Sequence, residues 1–171
     1  MTNVVLEYGA AFSRQEKAFA AQVSYVSRDR IQQSLYKHIN DYRVFQFPEL
    51  RRDDDWNQDD HDHHELLARS ALTTFLALFC DTADFKSPCT SKQYLLDTKS
   101  QPVEQVVSCF LYWCDAILER HRDARGLSCI SADTARELAN NLAQFTSGRP
   151  SNSSGMQTPA LWPLVDVVRY V

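Results

Sequence analysis

The stretch FAAQVSYVSRDRIQQSLYKHINDY (residues 19–42) changes its period half-way along, and that change governs how the rest of the chain is read. Phe19, Ala21, Val23 and Tyr25 alternate with smaller or polar neighbours, which puts them on one face of a strand. After Ser27 the apolar spacing lengthens to three or four residues. Ile31, Leu35, Ile39 and Tyr42 form one stripe of an amphipathic helix over 28–43. Ser27 suits the N-cap, and Asp29 lies in the first turn, where the helix dipole favours an acid. A strand therefore feeds directly into a helix.

Working outward, MTNVVLEYGAAF (1–12) alternates in the same way, with Val4, Leu6 and Tyr8 on one face and Asn3, Val5 and Glu7 on the other. The polar SRQEK (13–17) between the two runs predicts an antiparallel hairpin with a long loop. Beyond Tyr42 the patterns are helical. A second helix is expected over 61–80, apolar almost all round from Ala71 to Phe79 and hence the central buried one. SKQYLLD (91–97) suggests a short helix. Pro102 opens a long one, with Val103, Val106, Val107, Phe110, Cys114, Ile117 and Leu118 as its stripe. Gly126 fits a helix C-cap, and Ser131 fits the N-cap of a last helix with Ala135, Leu138, Leu142 and Phe145 inward. TSGRPSNSSGMQTP (146–159) has linker composition, and LVDVVRYV (164–171) is a closing strand.

The fold class expected is therefore α+β and mainly helical, with a small antiparallel sheet from the two ends of the chain. Residues 1–27 form the strand hairpin, 28–146 a helical insertion, 147–160 a linker and 161–171 the closing strand. A sheet so small leaves an edge or face in need of a partner, so a protein partner or self-association is expected.

Composition narrows the function. The 171 residues carry a net charge of -4, which gives no electrostatic footprint for nucleic acid or an anionic membrane. Four glycines argue against a glycine-rich phosphate site. Cys80, Cys109 and Cys114 lie in apolar runs, where a thiol behaves as a small hydrophobe, and the five cysteines have no framework spacing. That usage points to an intracellular protein, nuclear or cytoplasmic. LLARSALTTFLALFC (66–80), the longest apolar run, is too short for a membrane span and contains Arg69.

Three constellations could carry chemistry. DDDWNQDDHDHHE (53–65) gathers His61, His63, His64 and Glu65 among six aspartates, the ligand types of zinc or another non-haem metal. A helix from residue 61 would set His61 and Glu65 one turn apart. The competing reading is a solvated acidic loop whose Asp59 or Asp60 caps that helix. No serine or cysteine sits on a glycine-framed elbow between strand and helix, so a catalytic triad is not indicated. DARG (123–126) matches D-x-x-G, but it follows the polar LERHR rather than a hydrophobic strand, and it is rejected as a switch II motif.

Taken in order, TNVVLEYGAAFSRQEKAFAAQVSYVSRDRIQQSL (2–35), ALTTFLALFCDTADFKS (71–87) and TPALWPLVDVVRYV (158–171) resemble the G domain of fungal dynamin-like large GTPases, relatives of the nuclear GTPase SLIP-GC family. The resemblance implies a partial P-loop GTPase domain that begins at the switch I threonine and stops just before switch II. Thr2 would then reach magnesium in the GTP-bound parent, with Met1 where the family usually has cysteine. GTP and magnesium are the parent family's cofactors. This chain has no G-x-x-x-x-G-K-[ST], no strand leading into D-x-x-G and no N-K-x-D. A fragment unable to bind or hydrolyse GTP is expected, with no catalytic residue and no cofactor of its own. The alternatives are a stand-alone helical protein-interaction module, or a small metal-binding protein using the Asp/His-rich segment.

Overall fold

The computed structural model describes residues 4–9, 15–50, 57–146 and 159–170. The described chain is mainly helical, with one small four-stranded mixed sheet. Two compact units are present, residues 28–113 and residues 1–27 with 114–171.

The helical unit begins with α1 (Arg28–Gln46), which packs against α2 (Gln58–Phe79). Ile31, Leu35, Ile39 and Tyr42 are all buried, as the helical spacing predicts. The N-cap of α2 is Asn57 rather than Asp59 or Asp60. Its side chain accepts from the Asp60 N–H at 3.0 Å, and the Asp60 carboxylate accepts from the Asn57 N–H at 3.3 Å. This reciprocal box satisfies two N–H groups at once and starts the helix one turn earlier than expected. Ser87 caps α3 (Pro88–Asp97) in the same way through Thr90. α4 (Val103–His121) follows Pro102.

An aromatic cluster forms this unit's core. Phe110 meets Phe75 at 4.9 Å, Phe79 at 5.2 Å and Trp113 at 5.3 Å between ring centroids, and Phe85 meets Tyr94 at 5.4 Å. Edge-to-face and offset contacts at these separations add to the stabilisation from burial itself. Arg43 is buried too. It donates to the carbonyls of Thr98 at 2.5 Å and Gln101 at 3.0 Å, tying α1 to the turn after α3.

In the other unit, β1 (Val5–Tyr8), β2 (Phe19–Tyr25), β3 (Ser128–Ala132) and β4 (Val165–Tyr170) lie in the spatial order β1-β4-β2-β3. This corrects the expected hairpin. β4 stands between β1 and β2, antiparallel to β2 but parallel to β1, so the sheet is mixed. A hairpin is held in register by a short turn of special residues, and the connection across residues 9–18 is too long to impose one. β3 is a second difference. SCISA has little alternation, and it becomes a strand by pairing with β2, Ile130 opposite Ala21 and Ser128 opposite Val23.

One sheet face carries Ala21, Val23, Ile130, Ala132 and Val168, and α5 (Ala135–Thr146) packs on β2 and β3. Leu138, Leu142 and Phe145 of α5 are buried. The helix is capped by Thr134, whose hydroxyl accepts from the Glu137 N–H at 3.1 Å, and not by Ser131, which is in β3. The other face carries Glu7, Arg169, Gln22 and Ser24, with a 2.7 Å ion pair between Glu7 and Arg169. Burial on one face and polarity on the other is the pattern of a two-layer sheet. The apolar face is most open over β1, where Leu6 is 52% and Tyr8 84% exposed, and it is also open at Phe19 on β2, while Val23 and Val168 are fully buried.

Gly126 is not a helix cap. α4 stops at His121, and Gly126 adopts φ +76° in a turn that Asp123 closes. The Asp123 carboxylate accepts from the N–H groups of Arg125 at 2.8 Å and Leu127 at 3.0 Å. Those backbone bonds and the Arg125 guanidinium hold its carboxyl below the usual carboxylate range.

Candidate functional site

The sequence-predicted metal residues occupy the first two turns of α2. His61, Asp62 and Glu65 offer ligand atoms within 4.8 Å of one another. His63 is not part of this group; its ring meets that of His64 at 5.6 Å. The grouped carboxylates are already engaged: Asp62 accepts from Gln58 at 2.7 Å, and Glu65 pairs with Arg69 at 2.5 Å. His61 and Asp62 are exposed and Glu65 half-exposed. A cation here would compete with Arg69 and Gln58 in open solvent, and among the described residues there is no fixed supporting shell of the kind metal sites use. Thr2 lies outside the described residues.

A different site emerges around β3. The end of α4, β3 and α5 enclose a cleft of about 520 Å³, within the size range of ligand sites. Its walls include Arg120, His121, Cys129, Asn140, Asn141 and Gln144, and among the described residues no carboxylate lines it. Asn140 and Gln144 are one helical turn apart on α5, and Asn141 is three residues from Gln144, so the amides share one side of the helix.

The floor of the cleft is fixed by a hydrogen-bond chain. Ser128 Oγ donates to the carbonyl of His121, and Tyr25 Oη lies 2.5 Å from the same Ser128 oxygen. A serine hydroxyl has one proton, so Tyr25 is the donor to Ser128. The Arg122 guanidinium covers the Tyr25 ring at 5.0 Å. Burial pushes the Tyr25 phenol up, which keeps it protonated and donating. His121 packs edge-on against Phe145 at 6.3 Å, and burial, assisted by Arg120, lowers its pKa so that the ring is neutral at pH 7.

This arrangement suits binding rather than nucleophilic chemistry. The Ser128 proton points to a carbonyl, which is not a general base, so Ser128 is not activated. Asn140, Asn141 and Gln144 keep unspent hydrogen-bonding capacity in side chains facing one cleft. Sequence reasoning missed the site because β3 was unread, and without β3 the residues on α4 and α5 have no common wall. The signal that could have found it is the turn DARGL, which returns the chain after α4.

All five cysteines are free. Burial pushes the Cys114 thiol up to about 12, so it packs as a hydrophobe. No described helix is long and apolar enough to cross a membrane. No protein-family model, curated protein or solved structure matches this chain.

Proposed function

We infer that this chain is a segment of a dynamin-like GTPase domain, carrying the strand after switch I and a large helical insertion, and that alone it neither binds nor hydrolyses GTP. The reading is supported chiefly by the pairing of β2 with β4. These strands are adjacent and antiparallel, yet all the helices leave after the first and return before the second. A helical block between two neighbouring strands is what an insertion into a G-domain sheet looks like, and it keeps the order that the resemblance implies.

The residues present do not fit a nucleotide. The sequence has no phosphate loop, and among the described residues Gly126 is the glycine with positive φ. In its turn the N–H groups of Arg125 and Leu127 are taken by the Asp123 carboxylate and that of Gly126 by the Asp123 backbone carbonyl, so none is left for a phosphate. Phosphoryl transfer depends on positioned N–H groups, lysine and magnesium ligands, and Thr2 by itself supplies none of the first two. Calorimetric titration of GTP with magnesium tests this. Any affinity should be weaker than millimolar, and a micromolar dissociation constant would contradict it.

The second reading, a helical interaction module, is favoured by the exposure of Leu6 and Tyr8 on edge strand β1. Adjacent exposed apolar side chains on an unpaired strand edge attract a partner strand or helix.

A further inference from the structure

We draw no further inference here: the strongest candidate, the cleft between β3 and α5, carries no proposal, since nothing in the structure shows what would fill it.

Discussion

Tyr25 at the end of β2 and Val165 at the start of β4 stand opposite each other, although the whole helical block lies between them in the sequence. The Val26 N–H donates to the Leu164 carbonyl at 2.9 Å and carries the pairing of the two strand segments one step beyond Tyr25. The neighbouring pair Val23 and Val168 is fully buried. Truncating either to alanine removes aliphatic burial worth about 1.5–3 kcal/mol. Urea unfolding should show that loss in both single variants. The double variant should lose less than the sum, because the two side chains share one site.

Arg43 lends itself to a sharper test. Its guanidinium serves two carbonyls from inside the helical unit, and burial lowers its pKa without a carboxylate in direct contact. Replacing it with alanine leaves both carbonyls without this donor, at a cost of about 1.5–3 kcal/mol. Lysine should not rescue fully, since one ammonium cannot reproduce the planar fork. Chemical denaturation of both variants against the parent chain gives the comparison.

His38 makes stability depend on pH. Its ring sits against Phe75 at 6.1 Å, its Nδ1 lacks a hydrogen-bond partner, and burial lowers its pKa from 6.5, with Lys37 assisting and Asp41 opposing. The unfolded chain therefore takes up a proton at a higher pH than the folded chain. The contribution of neutral His38 to stability is fully present above pH 6.5 and falls as the pH drops below that value toward the lowered folded pKa. His121 contributes in the same direction. His38→Gln should flatten the profile between pH 5 and 7, values chosen as roughly the range in which histidine titrates. An unchanged slope would remove His38 from the account.

The open patch over β1 predicts self-association. Tyr8 stacks on Tyr170 at 5.4 Å while remaining largely exposed, and Leu6 beside it is half exposed. Sedimentation velocity over a concentration series should show a rising average mass. Leu6→Lys combined with Tyr8→Glu should return the chain to a monomer. Both substitutions lie on the edge strand, where charge discourages edge pairing.

Much of the fold was legible because amphipathic stripes survive translation into packing. Every residue named for the inner face of α1 is buried, as are Val106, Phe110, Cys114 and Leu118 of α4 and Leu138, Leu142 and Phe145 of α5. Strand order was not legible. Alternation identifies a strand's faces but not its neighbour, so β1 and β2 read as a pair although β4 separates them. β3 left almost no local trace, since Ser128, Cys129 and Ala132 owe their conformation to pairing with β2. The cleft, which depends on β3, was hidden for the same reason. Arg43 showed no sign of its buried role, because the carbonyls it serves lie on a turn distant in sequence. The Asp/His segment was legible as a helix start, and its carboxylates proved to be engaged by Gln58 and Arg69.

The claim that this sheet and its insertion belong to a dynamin-like GTPase domain is tested most directly on the transcript. Reading it at full length shows what is encoded in frame on either side of residues 1–171. The account predicts a G-x-x-x-x-G-K-[ST] upstream and a D-L-P-G immediately downstream of the β4 strand. In-frame stop codons on both sides, with neither motif, would contradict it.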